Sequence, residues 1–156
     1  MAKLNICLMC AVGGHLDEML QIVDAFSDHR IFFVIYVVKF SRTAKGYPTY
    51  FIKNKYDGMT TGSLLIETII SLWSYLKILI KEKPDVVVTT GSEFAIFPCY
   101  LSKIFRKKII CLETLARFTE LSGTGKFLYP IADLFLVQWK PLAVKYSKAQ
   151  FWGRVI

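Results

Sequence analysis

Acidic residues are scarce in this chain: 12 Asp and Glu stand against 20 Lys and Arg, leaving a formal charge of +8. That balance attracts anions such as nucleic acid, anionic lipid or a phosphorylated substrate. Nucleic acid is set aside as a partner, because no RNA-binding glycine motif and no zinc-ligand spacing occurs. Internal repeats, low-complexity stretches and long charge runs are missing too, which excludes solenoids and disordered tails. Charge of either sign is sparse at 21%, while hydrophobic residues reach 54%. Such a chain is more apolar than an ordinary soluble domain, and the excess must line a dense core, a partner interface or a membrane surface. No clean apolar run attains the roughly 20 residues of a membrane span. The richest stretch, Leu64 to Ile80, is broken by Glu67, serines and Lys77. The opening MAKLNICLMCAVGGH leads from a short apolar run straight into Gly13-Gly14 and lacks the form of a signal peptide. The expectation is a protein at the cytoplasmic face without a membrane-crossing helix.

Cysteine is also limited. Cys7, Cys10, Cys99 and Cys111 all fall in or beside apolar runs, as buried thiols in a reducing compartment do. Cys7 and Cys10 form a CxxC, but only His15 lies near as a further ligand, so no metal site is expected.

At 156 residues the chain has the length of a single domain, taken as 1–156. Short apolar runs alternate with helical patterns. Leu4–Met9, Ile31–Val38, Thr49–Ile52, Asp85–Thr89, Lys108–Leu112 and Ala132–Val137 read as strands. Helices are expected over Leu16–Phe26, over Gly62–Glu82 (ended by Pro84), from Glu93 to Phe105 with Pro98 as a kink point, and over Pro141–Tyr146. Continuous apolar strands separated by helices indicate a doubly wound parallel α/β sheet covered on both faces.

Ligands of such sheets bind beyond the carboxyl ends of the strands, so the residues after each strand are the candidates. Gly13-Gly14 either makes a tight turn or lets an anion approach free N–H groups at a helix start. It is not the dinucleotide fingerprint, which needs a third glycine and a later acid. His15 either caps that turn or serves as a general base, since the positive helix end disfavours its charged form. Thr90-Gly91-Ser92 suits helix capping or a second phosphate or sugar contact. Glu113 either pairs with Arg117 or accepts bonds from sugar hydroxyls and acts as a base. Ser122, Gly123 and Lys126 lie in Leu121–Lys126, a polar connector or a phosphate contact. The helix Gly62–Glu82 is apolar on more than one stripe. Part of it packs on the sheet; the part around Trp73 meets a partner or, with Lys39, Arg42, Lys45, Lys53 and Lys55 just before it, an anionic membrane.

The order Gly13-Gly14-His15, then Pro84-Asp85-Val86-Val87-Val88-Thr89-Thr90-Gly91, then Leu121-Ser122-Gly123-Thr124-Gly125-Lys126-Phe127-Leu128-Tyr129-Pro130-Ile131-Ala132-Asp133-Leu134-Phe135-Leu136-Val137-Gln138-Trp139 resembles the membrane-anchoring subunit of the two-subunit dolichol-diphosphate-GlcNAc N-acetylglucosaminyltransferase. It looks still more like bacterial relatives of that subunit in capsule and exopolysaccharide operons. The resemblance spans nearly the whole chain, and Ser122–Trp139 is its most specific block. It implies the Rossmann-like N-terminal half of a GT-B glycosyltransferase, a polyprenyl-diphosphate-linked sugar as acceptor, and a separate donor-binding subunit that holds the UDP-sugar. No cofactor is implied. In the fused peptidoglycan analogue a similar Gly-Gly-His turn is thought to face the acceptor diphosphate. By the same matching, Gly13, Gly14, Thr90, Gly91 and Ser92 are expected at the acceptor, with His15 and Glu113 as the catalytic pair; Arg117 on the rim and Ser122, Gly123 and Lys126 in the polar connector are added to the acceptor site from their positions. The eukaryotic subunits carry an N-terminal membrane helix where this chain starts with its first strand, so attachment is expected to be peripheral or to come through the partner. Gln138, Trp139 and the tail with Phe151, Trp152 and Arg154 are expected to face the partner. A non-catalytic scaffold for a separate transferase is the competing class.

Overall fold

The computed structural model describes residues 2–37, 44, 46–53 and 61–155, with the backbone alone at 53 and 61–66. Of the basic residues expected at a membrane, Lys39, Arg42, Lys45 and Lys55 lie outside the described residues, as does Ile156 of the tail. Lys53 is described only as the last backbone position of a strand.

Seven strands form one sheet: β1 (Asn5–Ala11), β2 (Arg30–Val37), β3 (Thr49–Lys53), β4 (Val86–Thr89), β5 (Lys108–Leu112), β6 (Leu134–Val137) and β7 (Ala149–Phe151). Every pairing is parallel, in the order β3-β2-β1-β4-β5-β6-β7. The helices are α1 (Gly14–Ile22), α2 (Thr61–Glu82), α3 (Ile96–Ile104), α4 (Gly123–Leu128) and α5 (Lys140–Lys145). The strand order runs outward in one direction from β1 and in the other from β4. The reversal between these two strands is the point where such sheets bind ligands.

The central strand shows why the sequence folds this way. Alternate β1 side chains point to opposite faces. Cys7 and Met9 enter a core with α2, α3 and α4, whereas Ile6, Leu8 and Cys10 enter a second core with α1. The CxxC therefore divides across the sheet, because positions i and i+3 of a strand never share a face. All four cysteines are buried and free. Burial pushes the Cys10 and Cys99 thiols up to about 12, which keeps them protonated and inert. In the larger core Tyr75 of α2 is fully buried, with its hydroxyl 2.7 Å from Ser102 of α3; Ser102 in turn donates to the Pro98 carbonyl (2.8 Å). Pro98 occupies the first turn of α3, where a missing N–H costs no helix bond, so the expected kink is unnecessary.

Three local expectations are corrected. The helix after β1 ends at Ile22 and tightens into a 3-10 turn over Val23–Phe26. The connector Leu121–Lys126 is largely the start of α4: Ser122 is its N-cap and accepts from the Gly125 N–H at 2.8 Å. Phe151, expected in a tail facing the partner, instead ends an edge strand, Ala149–Phe151, paired with β6. Cover is also uneven. Side chains of α2, α3, α4 and α5 join one core, whereas the described cover of the other face is α1 with its 3-10 turn, joined by Ala44 and Tyr47. Over β4, β5 and β6 that second face leaves an apolar groove of about 420 Å³, floored by Ile110, Leu134 and Leu136 and edged by Trp152 and Arg154.

Candidate functional site

The carboxyl ends of β1, β4 and β5 build a second groove, of about 500 Å³, at the strand-order reversal. Gly13 ends the turn after β1 with φ of 96°, a conformation that favours glycine because a Cβ is strained there. Its carbonyl accepts from Leu16 (2.9 Å) and Asp17 (3.1 Å), which starts α1 and sets His15 at the rim.

His15 is held by reciprocal bonds to the loop after β4. Its Nδ1 lies 3.0 Å from the Thr90 carbonyl oxygen, and Thr90 Oγ1 donates to the His15 carbonyl at 2.8 Å. A carbonyl only accepts, so the bond places the ring proton of neutral His15 on Nδ1 and leaves Nε2 with a lone pair. Thr90 is buried behind the histidine, whereas Gly91 and Ser92 line the groove with it. Ser92 Oγ is buried without a partner among the described residues. The opposite wall is Thr114, Ala116, Arg117, Ser122 and Thr124. Arg117 is exposed and has no ion pair among the described residues, so it is the groove's cation. Gly123 and Lys126 are exposed on α4 and do not line it.

Glu113 departs from the expected role. It is 2% exposed, and both oxygens are engaged. Oε1 accepts from the Thr114 N–H (3.0 Å), while Oε2 accepts from the Ser122 N–H (3.0 Å) and hydroxyl (3.1 Å). Neither an ion pair with Arg117 nor an open carboxylate for a sugar hydroxyl results. Glu113 instead pins the loop after β5 to the α4 cap, which places Arg117 and Ser122. Glu18 was missed on sequence. Its Oε1 accepts from Leu115 N–H (2.9 Å) and Thr114 Oγ1 (3.3 Å), bracing the same loop from α1. The available signal was its spacing, three residues after His15 and so on the same helix face.

The residues expected at a partner divide. Gln138 is fully buried; its amide donates to the Glu113 carbonyl (3.0 Å) and its oxygen accepts from Val155 N–H (2.9 Å). It ties the tail to β5 inside the chain and cannot face a partner. Trp139 donates to the Leu115 carbonyl (2.8 Å), and Arg154 stacks on its ring at 3.8 Å. Phe151 is half-buried, whereas Trp152 remains 71% exposed. Trp73 on α2 is exposed with Ile69, Ile70 and Ile80, and Phe97, Ile104 and Phe127 are exposed on α3 and α4. No described helix is long and apolar enough to cross a membrane. Among the described residues no cluster of three or more His, Cys, Asp or Glu is arranged for a metal.

The chain is similar in sequence and in fold to known proteins. The chain is 32% identical to the UDP-N-acetylglucosamine transferase subunit alg14 of Schizosaccharomyces pombe, over 92% of this chain and 79% of that protein. It is 29% identical to the ALG14 subunit of Yarrowia lipolytica, over 97% of this chain and 81% of the relative. Among solved structures, Acinetobacter baumannii MurG superposes with a TM-score of 0.72 at 13% identity, covering 90% of this chain. The chain spans 43% of the length of MurG, a likeness of fold alone: a Rossmann-like half of the GT-B fold. Residues 49–155 match the family described as "Oligosaccharide biosynthesis protein Alg14 like", and the chain belongs to the Alg14 family.

Proposed function

We propose that this chain is the acceptor-binding subunit of a two-component, inverting UDP-sugar glycosyltransferase. It would extend a polyprenyl-diphosphate-linked sugar, with the donor held mainly by a second polypeptide and no cofactor of its own. The observation that carries the reading is the groove at the strand-order reversal, where His15 and Arg117 share one cavity. The relatives' printed names make them subunits of a UDP-N-acetylglucosamine transferase, which supports a role in lipid-linked oligosaccharide synthesis. A capsule or exopolysaccharide setting rests on the sequence resemblance alone.

In the proposed step the acceptor hydroxyl attacks the anomeric carbon of the donor. The new C–O bond forms as the bond to UDP breaks, and UDP leaves with the electron pair. The hydroxyl proton passes to His15 Nε2. Arg117, Ser92 and the first amides of α1 at Gly14 and His15 offer donors for the acceptor diphosphate.

The groove over β4–β6 suits the partner's apolar surface, because no described helix covers this part of the sheet and Leu134, Leu136 and Trp152 are left to be covered. The purified chain alone is expected to transfer no sugar. Adding the donor-binding subunit restores transfer, and Leu136→Lys abolishes complex formation in pull-down. Robust transfer by the chain alone refutes the split enzyme. Full complex formation by Leu136→Lys moves the interface elsewhere.

The exposed Ile69, Trp73 and Phe97 on neighbouring helices suit a bilayer surface, and the basic Lys39–Lys55 segment suits its anionic headgroups. Flotation with phosphatidylglycerol liposomes is expected to be lost in Trp73→Ser and weakened several-fold between about 0.05 and 0.5 M salt. Binding indifferent to lipid charge leaves the basic segment as a solvated face.

A further inference from the structure

The loop after β5 carries Arg117 to the His15 groove, with Thr114 and Ala116 beside it. Arg117 is exposed, and an exposed arginine is aimed by the backbone that carries it. Two residues that follow β6 hold that backbone. Gln138 Nε2 donates to the Glu113 carbonyl at 3.0 Å, and Trp139 Nε1 donates to the Leu115 carbonyl at 2.8 Å. The Leu115 N–H is taken by Glu18 of α1 at 2.9 Å. Both backbone groups of Leu115 are therefore gripped by side chains of other elements.

Gln138 and Trp139 also touch one short strap, Trp152–Val155. Gly153, at φ of 130°, turns the chain away after β7, a conformation that suits glycine. Arg154 then lays its guanidinium 3.8 Å from the centre of the Trp139 ring, and the Val155 N–H donates to Gln138 Oε1 at 2.9 Å. A side-chain amide that donates at one end and accepts at the other ties its two neighbours together. Displacing Val155 displaces Gln138, and with it the Glu113 carbonyl. The same strap edges the apolar groove over β4–β6. It thus stands between that groove and the loop that carries Arg117.

Exposure decides which end responds. Gln138 is fully buried and Trp139 half-buried, whereas Trp152 and Arg154 are exposed. A body that settles on the exposed end takes conformational freedom from the strap and from what is bonded to it. A ligand that then binds the ordered loop has less entropy to lose, which is positive cooperativity.

We propose that Gln138 and Trp139 are positioning residues that couple the two grooves: a donor-binding subunit seated against the strap orders the Arg117 loop and tightens binding of the acceptor diphosphate. This rests on the acceptor and partner readings given above and adds the link between them. Neither residue lines the His15 groove; both act through the carbonyls of Glu113 and Leu115. By linkage, the acceptor diphosphate tightens the complex by the same factor.

Farnesyl diphosphate is the probe, titrated calorimetrically into the full chain and into its complex with saturating donor-binding subunit. Its Kd is expected to be about tenfold lower in the complex, within the usual range for coupled sites. Trp139→Phe keeps a ring under Arg154 but removes the indole N–H, and should reduce the ratio to about twofold or less. Arg154→Ala releases the strap from the ring at an exposed position, where folding is not at stake, and should reduce the ratio likewise. A general loss of stability moves both Kd values together, so their ratio separates positioning from a structural role. Equal Kd values in chain and complex overturn the coupling while both readings stand. A tenfold ratio that survives both substitutions overturns it too, because the partner then acts on the probe by direct contact. Failure of the probe to bind either form removes the acceptor reading, failure of the complex to form removes the partner reading, and the coupling falls with either.

Discussion

Gly125→Ala is expected to destabilise the protein by about 3 kcal/mol, lowering the melting temperature by roughly 6–12 °C for a domain of this size. A Cβ at Gly125 would lie 1.9 Å from Glu113 Oε2 and 3.0 Å from both Glu113 Cδ and Ser122 Oγ. Ordinarily a flexible carboxylate moves aside cheaply. Glu113 is buried, however, and its oxygens satisfy the Thr114 N–H, the Ser122 N–H and the Ser122 hydroxyl. Displacing it strands a charge and two backbone donors, each worth on the order of 1–3 kcal/mol. The Ser122 cap of α4 fails at the same time, because its oxygen also crowds the new methyl. Gly123→Ala is the control: a Cβ there meets nothing within 4 Å, and its stability should change by less than about 0.5 kcal/mol. Thermal denaturation of the two variants compares them directly. Equal melting temperatures would mean that Glu113 is free to leave its site, and its assignment as the brace of the loop after β5 would fall.

The same carboxylate illustrates where sequence reasoning stops. The strands were legible because buried parallel strands are continuous apolar runs. Lys108–Leu112 was placed to the residue, and Arg30–Val37 and Val86–Thr89 to within one. Their order implied which loops share the rim, and with that His15, Gly91, Ser92 and Arg117 as groove candidates, while Ser122 came from the polar connector Leu121–Lys126. What sequence did not carry was direction. Glu113 follows a strand just as an active-site carboxylate does, and only the fold turns it inward toward the Ser122 cap. On sequence Gln138 is expected to face the partner, yet it is completely buried and bonded to the returning tail at Val155. Residues 149–151 are too few for a period-2 pattern, so β7 emerged only through pairing with β6. The Leu121–Lys126 segment reads as a connector because two glycines lower helix propensity. Capping by Ser122 and packing of Leu128 override that propensity.

His15→Asn in the assembled complex is expected to lower kcat by roughly 10²–10⁴-fold, the range for loss of a general base. The substitution is chosen because of the Thr90 bond. An asparagine amide N–H can still donate to the Thr90 carbonyl in place of Nδ1, and Thr90 Oγ1 still reaches the backbone of residue 15. Complex formation and melting temperature should therefore stay near those of the parent, while the lone pair of Nε2 is gone. Thr90→Val tests positioning separately. It removes the bond from Oγ1 to the His15 carbonyl but keeps the carbonyl that holds Nδ1, so a loss of about tenfold is expected. The pH–rate profile divides the roles. If His15 is the base, the acidic limb of kcat is present in the parent and in Thr90→Val and vanishes in His15→Asn. If His15 only contacts the acceptor diphosphate, the limb persists and the loss appears as a raised acceptor KM. With Glu113 enclosed by its own hydrogen bonds, no other described side chain lining the groove except Glu93 has a lone pair suited to a base. Near-full activity in His15→Asn would therefore move the proton transfer to Glu93 or to the donor-binding subunit, and Glu93→Gln in the same assay distinguishes those two.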